Sequence, residues 1–187
     1  MGAASDGARK IPSFLIWIAL LGPIMRVSIV GGGHTLAEDE QETARAVGRA
    51  LAERDHEVVC GGLAGVMEAA CRGAKERGGR TIGILPGERL ADANPYVDVP
   101  IVTSMGNARN VLVVLNGEAV VAIDGAYGTL SEIAHALDLG RPVAGLGTHE
   151  IEGVEAVETP EEAVDYVERA VAGDGCARGG ERQGGFT

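Results

Sequence analysis

Asp124-Gly125-Ala126-Tyr127-Gly128-Thr129, with Glu132 shortly after, is the stretch whose residue types point most directly to chemistry. It follows the apolar run Val120–Ile123 and precedes Leu130, Ile133, Ala134 and Leu137, spaced at i, i+3, i+4 and i+7. The run reads as a strand covered on both faces, the spaced residues as an amphipathic helix. Gly125, Ala126 and Gly128 carry little or no side chain, so a ligand can approach the backbone closely. Amides that open a helix, backed by its dipole, favour an anion in that space, and Thr129 adds a hydroxyl. This is a route to phosphate binding without a lysine. Glu132 has two readings. It is either the carboxylate that faces a ligand or, with Thr129 as N-cap, the far end of a capping box.

Two further glycine turns end strands upstream, Gly31-Gly32-Gly33 and Gly61-Gly62-Leu63-Ala64-Gly65. None of the three is a G-x-G-x-x-G, and no P-loop with Gly-Lys-Ser/Thr is present, which disfavours dinucleotide and ATP binding. Convergence of three such turns on one sheet edge points to a phosphorylated small molecule. Arg109 reads either as a cation for phosphate or hydroxyl oxygens or as a solvent-facing helix arginine.

The elements that position these residues alternate. Strands are expected at Arg26–Val30, Glu57–Cys60, Thr81–Leu85, Tyr96–Val102, Val120–Ile123 and Pro142–Leu146. Helices are expected from about Glu38 to Arg54, from Val66 to Arg77, over Asn107–Leu115, after Gly128, and from Pro160 to near Ala172. Gly78-Gly79 marks a C-cap, and Thr159-Pro160-Glu161-Glu162 a helix start with Pro at N1 and Glu at N3. The alternation implies one α/β Rossmann-like domain over residues 25–172, a parallel sheet of about six or seven strands with helices on both faces. Ligands of such sheets sit beyond the carboxyl ends of the strands, near a switch in strand order. The glycine-rich residues 173–187 are read as a disordered tail.

The 187 residues carry a net charge of −11, with Lys10 and Lys75 as the lysines against 27 acids. That balance excludes a basic nucleic-acid grip. Cys60, Cys71 and Cys176 lack metal-ligand spacing, and buried free thiols in a reducing cytoplasm are expected. No resident cofactor or metal is expected. Phe14–Leu21 is strongly apolar behind Arg9 and Lys10, which imitates a signal peptide, yet it is too short to span a bilayer and Pro12 and Pro23 bracket it. Residues 1–24 are therefore read as an extension upstream of a natural start at Met25, with a membrane anchor as the alternative.

Gly61-Gly62-Leu63-Ala64-Gly65-Val66-Met67 resembles the G-G-x-x-G-[LV]-M element of the Lonely Guy/lysine-decarboxylase-like group. Asp124 to Glu132 is similar to that group's P-G-G-x-G-T-x-x-E signature, and Ser104-Met105-Gly106-Asn107-Ala108-Arg109-Asn110 stands where it carries M-H-x-R-K. Asp124 replaces the Pro and Ala126 the second Gly; Gly106 replaces the His, and Arg109 matches the arginine with a one-residue shift. The resemblance, closest to the molybdenum-cofactor carrier-like branch, implies Arg109 and Glu132 as catalytic candidates. For the ligand and its phosphate it implies Gly31, Gly32, Gly61, Gly62, Gly65, Met105, Gly125, Ala126, Tyr127, Gly128 and Thr129. It implies a carrier of a phosphorylated nucleotide-like compound or a nucleoside 5′-monophosphate phosphoribohydrolase, and the departures tilt the reading to binding. In the enzyme, Glu132 would face the oxocarbenium and Arg109 would orient the sugar or phosphate. A homodimer or larger oligomer is expected, since Val111–Leu115 is an almost unbroken apolar run. Lysine decarboxylation has no support, because neither lysine is placed to hold pyridoxal phosphate.

Overall fold

A computed structural model describes residues 24–33 and 37–177; the apolar run Phe14–Leu21 and residues 178–187 lie outside the described residues. Seven parallel strands form one sheet in the order β4-β3-β2-β1-β5-β6-β7. They are β1 (Arg26–Gly31), β2 (Glu57–Cys60), β3 (Thr81–Leu85), β4 (Val99–Val102), β5 (Ala119–Ile123), β6 (Val143–Leu146) and β7 (Val154–Ala156). The chain lays β1 to β4 outward in one direction, then returns to place β5 on the free side of β1, in register Gly31 to Ile123. The strand order therefore reverses between β1 and β5.

Helices α1 (Glu38–Glu53), α2 (Val66–Glu76) and α5 (Pro160–Ala177) cover one face of the sheet, and α3 (Asn110–Leu115) and α4 (Tyr127–Asp138) the other. Alternation along β1 sorts the two cores. Val27 and Ile29 join Val47, Leu51, Ala70 and Val164 on the first face, while Val30 joins Val113, Val114 and Ile133 on the second. Between Val27 and Ile29 in sequence, Ser28 points to the second face, is buried and donates to the Val113 carbonyl (2.7 Å), which fixes α3 on the sheet.

Helix ends follow local chemistry. Gly78 takes φ +73 after α2, and the amides of Gly78 and Gly79 bond the carbonyls of Lys75 and Ala74, a Schellman closure. At α5 the Thr159 hydroxyl accepts the Glu162 amide (3.2 Å), and Glu162 accepts the amides of Glu158 and Thr159. Cys60 and Cys71 are buried free thiols whose sulfurs lie 3.5 Å apart.

Four expectations need correction. The strand expected from Tyr96 begins at Val99, because Asn94 and Tyr96 are held in a turn by the Asn94 side chain (3.1 Å). Asn107–Leu115 is not one helix but a 3-10 turn, Gly106–Arg109, running into the short α3. The last helix continues past Ala172 to Ala177, through residues read as tail. The pattern Thr129-Leu130-Ser131-Glu132 is not a capping box. Helix α4 begins at Tyr127 behind an extended Ala126 (φ −117, ψ −153), so Thr129 and Glu132 lie inside it. Strand β7 was not expected at all.

Helices α1 and α2 meet through glycines. A Cβ on Gly48 would lie 2.0 Å from the Ala70 carbonyl oxygen, and one on Gly73 would lie 1.9 Å from that of Arg45. Alanine favours an isolated helix by about 1 kcal/mol over glycine, but overpacking here costs about 1–3 kcal/mol and separates the pair. Gly48→Ala is expected to lower the urea midpoint with an unchanged slope; a midpoint at or above wild type would contradict this packing.

Candidate functional site

The reversal between β1 and β5 leaves a cleft of ≈ 210 Å³ at their carboxyl ends. Gly31, Gly32 and Gly33 form its floor at the end of β1, and Ala126, Gly128 and Thr129 form the wall at the start of α4. Glu132, one turn into α4, and Arg109, from the 3-10 turn ahead of α3, close it from the other side.

The wall is built as an anion site. Asp124 adopts φ +48 and Gly125 φ +120, a turn that aims the chain into α4. Asp tolerates the left-handed region, whereas the proline of the family signature is locked near φ −65°, so this turn differs from the signature at its first residue. Three contacts brace it: the Asp124 amide donates to Leu146 (3.1 Å), the Thr148 hydroxyl donates to the Asp124 carbonyl (2.7 Å), and a His149 ring nitrogen lies 3.3 Å from the Ala126 carbonyl. Ala126 provides no side-chain cap, and the first hydrogen bond of α4 comes from Leu130. The amides of Tyr127, Gly128 and Thr129 therefore have no acceptor among the described residues.

Gly125 and Gly128 are glycines for different reasons. A Cβ on Gly125 would meet Thr129 Oγ1 at 2.2 Å, so packing alone requires glycine there. A Cβ on Gly128 would meet nothing within 4 Å, so the folded chain itself does not demand glycine.

Arg109 is 6% exposed, and its Nε donates to the Ile84 carbonyl (3.1 Å). Gly61 makes room for it, since a Cβ there would sit 2.6 Å from Nη2. The guanidinium's other donors have no hydrogen-bond partner among the described residues. Burial lowers its pKa, and the charges of Glu132 and Cys60 oppose that shift. Glu132 is 7% exposed and makes no hydrogen bond among the described residues. Burial pushes its carboxyl up to about 7, against the pull of Arg109 toward the charged form. An acid and a cation thus share one small cleft without touching, an arrangement that functional sites favour and packing alone does not.

Gly31, Gly32, Arg109, Ala126, Gly128, Thr129 and Glu132 are brought together as the sequence implied. Gly61, Gly62, Gly65, Met105, Gly125 and Tyr127 are not in the cleft wall. Gly62 (φ +74) and Gly65 (φ +72) shape the turn into α2, while Met105 and the Tyr127 side chain stand in solvent, the latter 88% exposed. Sequence reasoning missed Leu63, Met67, Asn107 and Asn110 as wall residues, although each lies inside or beside a motif it had singled out. Asn110 is 4% exposed and ties α3 to α4 through Nδ2, which donates to Ser131 Oγ (2.9 Å) and the Gly128 carbonyl (3.3 Å).

Two outcomes follow from this geometry. The raised Glu132 pKa means that the folded protein keeps a proton the unfolded chain releases between its ordinary value of 4.5 and about 7. The group's contribution to stability is full below pH 4.5 and is lost as pH rises through about 7. That loss is on the order of 3 kcal/mol. Glu132→Gln is therefore expected to melt with the wild type near pH 4.5 and above it at about pH 8; identical profiles would contradict the buried, unpaired carboxyl. Gly128→Ala is expected to melt no lower than wild type while binding of phosphate compounds weakens about tenfold or more. Binding unchanged in that variant would place the ligand elsewhere.

The model of the SLOG cluster4 family matches residues 24–172. A protein of Archaeoglobus fulgidus is 44% identical over 144 residues, 76% of this chain and 94% of that protein. The molybdenum cofactor binding protein of the phototrophic bacterium Rippkaea orientalis superposes with a TM-score of 0.75 at 31% identity, over 80% of this chain and 98% of its own. The Moco carrier protein of Chlamydomonas reinhardtii gives 0.74 at 32% identity, over 81% and 99%. Fold, order of motifs and extent of match agree, and the chain belongs to the SLOG cluster4 family, with a Lonely Guy-like Rossmann fold of the Moco-carrier-like branch.

Proposed function

We propose that this protein is a carrier that binds a phosphorylated heterocycle, of nucleotide or molybdenum-cofactor type, at the β1/β5 cleft. The observation that carries the reading is the uncapped start of α4, whose amides find no acceptor among the described residues and face a cleft lined by glycines. Phosphate would bind the amides of Tyr127, Gly128 and Thr129 with the Thr129 hydroxyl, and Arg109 would add a charge-assisted contact. The relatives that bind or carry the molybdenum cofactor favour cargo binding over turnover.

A second reading, phosphoribohydrolase, is favoured by one feature: Glu132 lies in the cleft with no hydrogen-bond partner among the described residues and with Arg109 as its charged neighbour. Cleavage of an N-glycosidic bond develops positive charge on the sugar, which an adjacent carboxylate stabilises. With a pKa of about 7, Glu132 exists in both protonation states near neutrality, so the same group serves as carboxylate or as proton donor.

The protein is further proposed to work in the cytoplasm as a homodimer or larger assembly. Among the described residues no helix is long and apolar enough to cross a membrane, and the free buried thiols suit a reducing compartment. Val113 and Val114 face the sheet, but Leu115 stays 45% exposed, as do Ile101 (43%) and Met105 (46%). A second copy of the chain would cover them.

Incubation with a panel of nucleoside 5′-monophosphates and phosphorylated pterins, reading both melting shift and free base, separates the two functions. The carrier binds and releases no base. In an enzyme, Glu132→Gln would cut base release by about 10²–10³. In either case Arg109→Ala is expected to weaken binding by about 1.5–3 kcal/mol. No shift with any phosphorylated compound would overturn both readings. Light scattering at high salt is expected to give a dimeric or larger mass, and a monomeric mass would rule the assembly out.

A further inference from the structure

We propose that a phosphorylated ligand entering the cleft brings a proton onto Glu132, so that the protein holds this ligand at low pH and releases it as pH rises. This rests on the reading of the cleft as a phosphate site and adds the control of that site.

The cleft is lined by one cation and one acid, Arg109 and Glu132, each more than nine-tenths buried. Arg109 Nε is taken by the Ile84 carbonyl (3.1 Å), and Glu132 has no hydrogen-bond partner among the described residues. A phosphate at the first amides of α4 would share the same ≈ 210 Å³ with Glu132, which lies one turn further into that helix. Two anions would then compete for one guanidinium. Burial deprives them of the screening that lets like charges coexist in water. A proton on the carboxyl removes the repulsion and turns Glu132 into an O–H donor for a phosphate oxygen.

The surroundings of Glu132 leave few other groups to respond. On α4 itself Tyr127 stands in solvent, and His135 and Asp138 are exposed. Of the elements packed on α4, α3, β5 and β6 carry no charged side chain. Strand β1 carries Arg26 at its far end, paired with Glu57 (2.9 Å). Asp124 belongs to the turn into α4, and His149 reaches the Ala126 carbonyl (3.3 Å) from the loop after β6. Cys60, at the end of β2, lies within electrostatic reach of both Arg109 and Glu132.

Burial already holds the Glu132 carboxyl up at about 7, with Arg109 pulling toward the charged form. A dianion beside it moves the value higher, and between the two values the bound protein carries a proton that the free protein lacks. Affinity is therefore flat at low pH, where Glu132 is protonated with or without ligand, and falls as pH rises through about 7.

The probe for the test is sulfate, a tetrahedral dianion that does not titrate in this range, whereas a phosphomonoester itself titrates at about pH 6. Calorimetric titration in two buffers of different ionisation heat counts the protons taken up. Wild type is expected to take up almost none at about pH 5.5 and close to one at about pH 8, with sulfate affinity falling about tenfold from pH 6 to pH 8. At about pH 8, sulfate is expected to bring up the infrared band of a protonated carboxyl, a signal that no histidine or thiol gives. Glu132→Gln is expected to take up no proton, to bind sulfate equally at both ends of the range, and to lack that band. Glu132→Ala, the second variant, is expected to lose the uptake and the band as well. Sulfate binding by wild type without proton uptake would overturn the proposal. So would uptake that persists in the folded variants, which would move the proton to a group such as His149 or Cys60. Failure of wild type to bind either sulfate or inorganic phosphate would instead overturn the phosphate reading.

Discussion

Three backbone amides at the start of α4 need an acceptor that the described protein does not provide, and the rest of the site follows from that deficit. A helix leaves its first amides unpaired, and most helices repair this with a side chain at the N-cap. Helix α5 does so with the Thr159 hydroxyl, while α1, with Ala37 at its N-cap, pairs only the Ala37 amide, with Glu40 (2.9 Å). Helix α4 places Ala126 at the N-cap and does not. The strand reversal between β1 and β5 opens space in front of these amides, and Gly31 to Gly33 keep it open. The left-handed Asp124, braced by Thr148 and Leu146, holds the turn that presents them.

Behind the amides the cleft holds its charged groups at a cost in stability. Arg109 is sunk against Gly61 with most of its donors unused among the described residues, and Glu132 is buried far enough to hold a proton near neutrality. A directly paired arginine and glutamate would be better solvated by each other but would fill the space a ligand needs. The separation is what leaves both groups available to a third party. Of the adjoining thiols, Cys71 is pushed up by its contact with Cys60 and by burial, so it stays protonated.

Much of this was legible in the sequence because it is local. Apolar runs, glycine turns and helical spacing identified the central strands, and the Thr159 box and Gly78-Gly79 closure form as their residues dictate. The same locality misled at Thr129-Leu130-Ser131-Glu132. Those residues satisfy the capping-box pattern, but the N-cap is the extended Ala126 and not Thr129, which converts Glu132 from a cap into a cleft residue. Strand β7 is three residues with a central glutamate and carries no readable alternation. Asn107 and Asn110 became wall residues only through the path of the chain from β4 across to β5, which no local pattern encodes. Gly61 shows the limit from the other side. Its motif is recognisable, yet its role is to make room for the Arg109 side chain, a contact between residues far apart in sequence.

The central claim is that the α4 amides are the anion site. The most direct measurement is an amide nitrogen–proton NMR titration of the protein with inorganic phosphate. The amides of Tyr127, Gly128 and Thr129 are expected to move first and furthest, saturating together, as groups that gain a charge-assisted hydrogen bond do. Shifts that saturate at another helix start, or none above the general effect of salt, would contradict the account.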